Sequence, residues 1–491
     1  MKSFLLILFL SLSGLVVAGQ DGKPGDRLYT TEELREDYLI FRKALETTYP
    51  SLFRFSDTFA INRYLDDQYN RLDASKTELD LYRMIVLACS KANDEHLIPT
   101  PSKDYYRYLQ NTSHYFPFSL KIINRRIYVL GNYMPRKSLP VGSELLSING
   151  YSTEDILNIL LPTIPSDGYI QTFNTRHLED YSMTQNENLF DLNYSIFIED
   201  TSSFRIEFIH PDNKRERQTA VISGLDYKSY KEFYQQRIGY KAPLEFKYLK
   251  REIAYLRISS FLRYHRTDFK QDFISLYDSI FGVLNQKKTK NLILDLRNNE
   301  GGDGTGEKLI TYLLTKPYKH YDYTEEIYTG YPPVVEYLEN GKDLYFPDSL
   351  VYKTSFGTYR LKKEYFNHLY NVQEPERNNF KGKIYVLVNG ASGSMASVVA
   401  TFLKATNRAI FIGEECGGTM EGNTSDSYGK LVLPNTGIRV EIPLTKKVNN
   451  VNYIKGRGVF PDYSISPDIN DILNGIDTEL SFALGLINQG K

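Results

Sequence analysis

The feature that most constrains the fold is a unit that recurs in the C-terminal half of the chain. Each unit has a short apolar run, and helical patterns follow most of them. The runs are IAYLRI, NLILDL, IYVLV and AIFI, at residues 253–258, 291–296, 384–388 and 409–412. Continuous apolar runs of this length predict strands buried on both faces, as in parallel sheets whose strands are joined by helices. We therefore predict an α/β core with crossover connections over residues 241–491.

The rest of the chain shows other patterns. Residues 20–113 begin with a polar linker and continue as a mostly helical region, which opens with a capping-box pattern from Thr30 to Glu33. Residues 114–240 read as a β-rich domain, in which LPVGSELLSINGYSTEDIL (139–157) predicts a strand pair followed by a helix. A tyrosine-rich insertion at 316–381 is predicted to be irregular or to cover part of the site. A chain of 491 residues accommodates such a multidomain organisation.

The N-terminus predicts export. A basic start at Lys2, an apolar run over 4–17 and the small residues Ala18 and Gly19 are typical of a secretory signal peptide, assigned here to residues 1–19. The alternative is a membrane anchor, but the run is shorter than the roughly 20 residues that a spanning helix needs. We expect a periplasmic or extracellular protein without a membrane span once the signal is removed.

Charge and cysteine content exclude some functions and leave others open. The formal net charge is −1 and the basic residues are scattered, so nucleic-acid binding is not indicated. No His-x-x-His or HExxH spacing occurs, and no metal site is predicted. The two cysteines, Cys89 and Cys416, can form one disulfide in an oxidising compartment or remain free buried thiols.

A serine-containing turn is the first candidate for chemistry. In VLVNGASGSMAS (386–397) a buried strand ends in a Gly/Ser turn, and a helix begins near Ser394. A hydroxyl at a helix N-terminus lies among free backbone N–H groups, which stabilise a developing negative charge. The structural alternative is that Ser394 only caps the helix.

A glycine pair is the second candidate. Strand NLILDL runs into RNNEGG, so Gly301 and Gly302 follow it directly. Their backbone can approach a ligand closely and point amides at a carbonyl oxygen, or form a simple tight βα turn.

Several motifs together resemble one family. IAYLRISSF, NLILDLRNNEGG, VLVNGASGSMAS, FIGEECGG, LPNTGIRVEIPL and GVFPD occur in this order. The ordered set is similar to the C-terminal processing (tail-specific) serine peptidases, a family that includes the core of tricorn protease. The likeness is strong over 250–470 and weaker at LPVGSELLSING, which resembles a PDZ-type segment, and at NDEHLIP (93–99). It implies a crotonase/ClpP-like α/β spiral core, an N-terminal helical region and a PDZ-like domain.

The resemblance also implies a reaction, the hydrolysis of peptide bonds in polypeptide substrates through an acyl-enzyme, without a metal or organic cofactor. The family's nucleophile aligns with Ser394. The oxyanion would be stabilised by the amides of Gly301 or Gly302 and of Met395.

The sequence indicates the general base less directly than the nucleophile. In the Ser–Lys branch the lysine position aligns with Thr419 and the helix acid with Ala405, which argues against such a dyad here. The tricorn-like branch uses an N-terminal histidine, and His96 matches it. Without the resemblance, His96 reads as a surface or helix-terminal histidine. In that branch a serine precedes the histidine, and this chain has Glu95 at that position. A glutamate of that branch lies far along the chain, and this chain has Lys455 there. Either Glu95 supplies the missing carboxylate, Asp94 orients the imidazole, or both acids are merely solvated.

Three functions are compatible with these residues. The first is an exported serine endopeptidase with Ser394 as nucleophile and His96 as base. The second is a catalytically impaired peptide- or lipid-binding protein on the same fold, motivated by the unmatched positions. The third is a serine esterase. The PDZ-like segment can bind an extended peptide by strand addition or be purely structural.

Overall fold

The computed structural model describes residues 23–112, 115–133, 139–179, 181–182, 187–238 and 241–490. The predicted signal peptide at 1–19 lies outside them. Among the described helices, none has the length and apolar character needed to cross a membrane.

The N-terminal region consists mainly of helices. Both Thr30 and Thr77 form complete capping boxes, with Glu33 and Asp80 respectively, which explains where two of its helices begin. One short strand follows the third helix and brings the region into contact with the core. The elements are α1 (Thr31–Thr48), α2 (Thr58–Asn70), α3 (Glu78–Lys91), β1 (Ile98–Thr100) and α4 (Lys103–Gln110).

The middle of the chain contains an antiparallel sheet with helices packed against it. The order in the sheet is β2-β3-β4-β8-β9, and β5 pairs with β4. The predicted strand pair and helix within 139–157 correspond to β4, β5 and α5. The elements are β2 (Phe118–Ile123), β3 (Arg126–Asn132), β4 (Glu144–Ile148), β5 (Tyr151–Ser152), α5 (Thr153–Leu160), α6 (Gln171–Glu179), β6 (Tyr181–Ser182), β7 (Glu187–Asn188), α7 (Leu189–Phe197), β8 (Ser203–His210), β9 (Asn213–Ser223) and α8 (Tyr227–Ile238).

The C-terminal region is the α/β core. Its six-stranded sheet has the order β10-β11-β12-β18-β19-β23, with β10 antiparallel and the other neighbours parallel. The main elements are β10 (Leu244–Lys250), β11 (Ile253–Ile258), α9 (Arg263–Asp268), α10 (Phe273–Gln286), β12 (Asn291–Asp295), α11 (Thr305–Leu313), β18 (Lys383–Val388), α13 (Ser394–Ala405), β19 (Ala409–Gly413), β20 (Tyr428–Val432), β21 (Arg439–Pro443), β22 (Lys446–Asn449), β23 (Tyr463–Ser464), α14 (Ile469–Leu473) and α15 (Thr478–Asn488).

Both faces of this sheet are covered, which explains the continuous apolar runs. Leu294 and Val386 face α10, α11 and α13 in one core cluster. The alternating residues Ile293 and Tyr385 face the other way, in a cluster with Leu486 of α15. Since successive strand residues point to opposite faces, every position is apolar. The predicted α/β architecture is confirmed.

The prediction for the insertion at 316–381 is wrong in part. It contains β13 (Tyr318–Lys319), β14 (Tyr321–Glu326), β15 (Val351–Lys353), β16 (Tyr359–Leu361), α12 (Asn367–Tyr370) and β17 (Val372–Gln373). Three of these strands join β22 in a sheet of order β15-β16-β14-β22. Because β22 lies far along the chain, the local sequence of the insertion does not reveal this pairing. Tyr321 and Leu369 line the cleft described below, so the insertion does reach the site.

A buried ionic network anchors the β-rich region to the core. Arg176 of α6 donates from Nε to Glu414 Oε2 at 2.8 Å and also pairs with Glu179. Glu414 lies next to β19 and accepts the Gly390 amide at 3.4 Å. The network therefore connects α6 to the turn before α13. Cys89 and Cys416 are free and buried in different core clusters.

One buried carboxyl group predicts a pH-dependent stability. Glu326 is 6% exposed and accepts a hydrogen bond from Thr445 Oγ1. Burial, reinforced by Asp426, raises the pKa of Glu326 from 4.5 to about 8. The folded state therefore binds this proton more tightly than the unfolded state, so stability is lost as pH rises from about 4.5 towards 8.

Replacing Glu326 with glutamine should remove this loss. We expect E326Q to unfold at a higher temperature than the wild type at pH 7–8, by an amount equivalent to at most about 5 kcal/mol. The difference should disappear below pH 4.5, where the unfolded wild-type chain also carries the proton on Glu326. Thermal unfolding followed by circular dichroism at both pH values measures it. A variant less stable than the wild type at pH 8 would contradict the prediction.

Candidate active site

Ser394 is held in an unusual backbone conformation. It is the first residue of α13 and follows β18 after a turn at 389–393. Its φ of 42° lies in the left-handed region, which costs a residue with a side chain on the order of 1–3 kcal/mol and persists only when the surroundings impose it. The side chain lines a cleft of about 1270 Å³.

Two asparagines connect the serine turn to the glycine loop. The Asn298 amide donates to Asn389 Oδ1 at 3.0 Å, and Asn389 Nδ2 donates to Asn298 Oδ1 at 2.7 Å. Ser392 Oγ donates to the Leu296 carbonyl at 2.9 Å, so Ser392 is committed to the turn. Ser397 Oγ likewise donates to the Ser394 carbonyl at 2.7 Å. Of the three serines, only Ser394 faces the histidine.

The three predicted oxyanion donors differ in whether their amides are free to bind a ligand. The Gly301 amide already donates to Asn299 Oδ1 at 2.9 Å, which satisfies it internally. Within the described ranges, no protein acceptor is found for the amides of Gly302 and Met395, and both residues line the cleft beside Ser394. Gly302 and Met395 are therefore the pair available to an oxyanion.

Gly301 allows Ser394 and the Met395 amide to lie close to its backbone, because it has no side chain. Its φ is 97°, and a Cβ at this position would lie 2.6 Å from Ser394 Cβ and 2.7 Å from the Met395 nitrogen. Contacts this short force the serine or the amide beside it to move. Only glycine allows this approach.

Replacing Gly301 with alanine should therefore lower kcat by about 100-fold or more, the size of effect seen when an oxyanion donor is misplaced. The matched control is G304A in the same loop, where the nearest atom to a Cβ is 3.8 Å away and φ is −62°. We expect G304A to retain activity within a few-fold. Rates of peptide hydrolysis and melting temperatures of both variants test this, and equal activity of the two would refute it.

His96 reaches Ser394 from the N-terminal region. It lies between α3 and β1, and its Nε2 is 3.3 Å from Ser394 Oγ although 298 residues separate them in the chain. This is slightly longer than an ideal hydrogen bond and within the range of a catalytic pair without substrate. The His96 side chain is 13% exposed and lines the cleft.

Asp94 lies on the opposite side of the imidazole. Its Oδ1 is 3.6 Å from His96 Nδ1 and accepts the His96 backbone amide at 2.9 Å. Its Oδ2 accepts the hydroxyls of Tyr49 and Thr424, both at 2.6 Å. Asp94 is therefore fixed by groups from the N-terminal region and the C-terminal core, and it faces the nitrogen that a triad acid would face.

Glu95 lies instead on the side of the imidazole that faces Ser394. Its Oε1 accepts the Ser394 amide at 3.0 Å and lies 3.9 Å from His96 Nε2. It therefore contacts the backbone of the serine and not the far nitrogen of the histidine. The geometry favours Asp94 over Glu95 as the group that orients the imidazole.

A third carboxylate comes from the β-rich region. Asp167 is 3% exposed, and its Oδ1 accepts the Glu95 amide at 3.0 Å. Its Oδ2 is buried without a partner, as is His96 Nδ1. One atom each from Asp94, His96 and Asp167 lie within 4.8 Å of one another, a set that could hold a metal ion.

The three acids control the charge of the imidazole. Burial alone would lower the pKa of His96, but Asp94, Glu95 and Asp167 outweigh it and raise this pKa to about 9. Burial and the charge of Asp167 raise the pKa of Glu95 to about 8. Burial also tends to raise the pKa of Asp94, yet the adjacent imidazole of His96 and the hydroxyls of Thr424 and Tyr49 lower it overall. Negative charge is thus concentrated around one imidazole.

Sequence reasoning missed Asp167, Tyr49 and Thr424. Asp167 lies in the loop before α6, and none of the three belongs to a motif that indicates a role in the site. At the two Ser–Lys branch positions, Thr419 Oγ1 donates to the Gly422 carbonyl at 2.8 Å and Ala405 is the last residue of α13. Lys455 is exposed.

A serine in a strand–turn–helix junction, with an imidazole and two unoccupied amides beside it, is an arrangement of groups suited to a serine hydrolase. Residues 252–465 match the model of peptidase family S41. This match identifies the protein as a serine-type peptidase. A search of curated proteins finds no match.

Solved structures show a similar fold. The crystal structure of mature CPAF aligns with a TM-score of 0.61 and 16% identity, covering 90% of this chain and 94% of that chain. The structure of mature CPAF complexed with lactacystin aligns with a TM-score of 0.59 and 16% identity, covering 90% of this chain and 95% of that chain. The crystal structure of the tricorn protease aligns with a TM-score of 0.39 and 16% identity, covering 94% of this chain and 37% of that chain. The likeness to CPAF is one of fold, and the tricorn score supports no assignment to a branch.

Proposed function

We propose that the protein is an exported serine endopeptidase that cleaves polypeptides through an acyl-enzyme on Ser394. His96 takes the proton from Ser394 Oγ as the oxygen attacks the scissile carbonyl, and returns it to the leaving amine. The amides of Gly302 and Met395 stabilise the oxyanion. Asp94 orients the imidazole, and water then hydrolyses the acyl-enzyme. The distance of 3.3 Å between His96 Nε2 and Ser394 Oγ carries this proposal.

The domain assignment belongs to the same proposal. Residues 20–113 form the helical region, 114–240 a PDZ-like domain and 241–491 a crotonase-like catalytic core of the tricorn-like, histidine-base branch. The strand pair and helix at 144–160 and the covered parallel sheet support it. The cleft is lined by residues of all three regions, including His96, Phe173 and Ser394. Such a cleft suits an extended polypeptide, which favours a peptidase over an esterase.

Covalent labelling tests the function directly. A fluorophosphonate probe should label the wild-type protein at pH 8–9, where the neutral imidazole is substantially populated, and peptide mapping should locate the probe on Ser394. Cleavage of an unfolded protein should accompany labelling. Absence of both would favour the alternative, a catalytically impaired peptide- or lipid-binding protein. Turnover of small esters without peptide cleavage would favour an esterase.

A further inference from the structure

The strongest unexplained feature is the far side of the catalytic imidazole. His96 Nδ1 and Asp167 Oδ2 are both buried and both lack a hydrogen-bond partner. Leaving a buried polar atom unpaired is costly. Here two such atoms belong to one cluster, and Asp94 faces the same ring nitrogen from 3.6 Å. Two unsatisfied atoms in one cluster, each able to offer a lone pair, point to a missing ligand.

The chemistry of the cluster identifies the ligand as a cation. It offers one imidazole nitrogen and two carboxylates, all within 4.8 Å of one another. Nitrogen and oxygen donors of this kind suit zinc, whereas magnesium prefers oxygen ligands and keeps several waters. Zinc bonds of about 2.0–2.2 Å hold neighbouring ligand atoms about 3.5 Å apart, so side-chain movements of about 1 Å would close the site.

We propose that Asp94, His96 and Asp167 form a zinc-binding site that holds the imidazole in a form unable to accept the Ser394 proton. In the active form, His96 carries its proton on Nδ1 and accepts the serine proton on Nε2. A zinc bond to Nδ1 uses that nitrogen's lone pair, so the remaining ring proton is on Nε2. The ring then can only donate towards Ser394 Oγ. No oxidation state changes: in the neutral ring the proton on Nδ1 is exchanged through solvent for one on Nε2, and in the imidazolium the Nδ1 proton is released to solvent.

This site places part of the control of catalysis in the β-rich region. Asp167 sits in a loop that is fixed to both other regions: the Gly168 amide donates to the Asn93 carbonyl at 2.9 Å, and the Tyr169 amide to the Gly456 carbonyl at 2.8 Å. A cation bound by Asp167 and His96 would add a further link between the β-rich and the N-terminal regions. Zinc binding itself does not depend on the proposed function, whereas its inhibitory effect does.

Binding is measured first, without reference to activity. Zinc is titrated into the full, chelator-treated protein in competition with a chromophoric chelator. We expect one equivalent to bind to the wild type, D167N to weaken binding at least tenfold, and H96Q at least 100-fold. D167N keeps an acceptor for the Glu95 amide. The control E326Q changes an equally buried carboxyl outside the cluster and should bind like the wild type.

Several results would overturn the site. D167N and H96Q binding zinc like the wild type would do so, and so would displacement of zinc by equimolar magnesium. If D167N does not fold, H96Q decides alone. For the inhibitory step, zinc should slow fluorophosphonate labelling at least tenfold, and a chelator should restore it. Stoichiometric zinc binding with an unchanged labelling rate would refute the inhibition alone, while absence of labelling in metal-free protein would refute the proposed function instead.

Discussion

Replacing Ser394 with alanine, replacing His96 with alanine, and making both changes together should each lower kcat for peptide hydrolysis by about the same factor, roughly 10⁴–10⁶. The effects should not multiply, because the serine and the imidazole act as one unit: without the base the hydroxyl is a poor nucleophile, and without the hydroxyl the base has no proton to take. Initial rates on an unfolded protein substrate, compared across the four proteins, measure this coupling.

The neighbouring serine supplies the matched control. Ser397 lies one turn into the same helix, and its Oγ donates to the Ser394 carbonyl, so S397A tests for general damage to the helix. We expect S397A to stay within tenfold of the wild type. If S394A keeps more than about 1% of wild-type activity, or if the two single losses multiply in the double variant, Ser394 and His96 are not a nucleophile–base pair.

Much of the core could be predicted from the sequence because its signals are local. The apolar runs at 291–296 and 384–388, the Gly301-Gly302 pair and the helix start at Ser394 are each contained in a few residues. Burial on both faces of a sheet leaves a continuous apolar run, and a turn that approaches a neighbour needs glycine. The structure has strands, loop and helix at these places.

The pairing of His96 with Ser394 could not be derived from local patterns. No spacing rule links residues 298 positions apart, and only the resemblance to a peptidase family suggested the match. The fold achieves this contact partly through β1, just after His96, which pairs with β21 of the C-terminal region, Ile98 opposite Glu441. A three-residue strand of this kind gives almost no signal of its partner.

The sequence also could not predict which of the two neighbouring acids orients the imidazole. Asp94 and Glu95 are adjacent, yet one faces His96 Nδ1 and the other accepts the Ser394 amide. Which way each side chain points depends on distant partners such as Tyr49 and Thr424. The same holds for Gly301 and Gly302, since the Asn299 side chain occupies the first amide and leaves the second available.

Exchanging Asp94 for asparagine tests which carboxylate serves the histidine. The neutral amide cannot stabilise the imidazolium that forms as Ser394 loses its proton, and an amide N–H turned towards His96 Nδ1 would favour the wrong tautomer. We expect D94N to lower kcat by about 10²–10⁴ with KM little changed, as for the buried acid of other serine-peptidase triads. Steady-state kinetics on a peptide substrate separates the two constants.

The comparison variant is E95Q, which keeps an oxygen to accept the Ser394 amide. Because Glu95 lies 3.9 Å from His96 Nε2 and does not face Nδ1, its loss should cost about tenfold or less in kcat. A larger loss in E95Q than in D94N would make Glu95 the third member of the triad and would leave Asp94 as a structural residue that only connects Tyr49, Thr424 and the His96 backbone. The two single changes, one position apart in the chain, therefore distinguish the carboxylate that orients the imidazole from the one that holds the nucleophile's backbone.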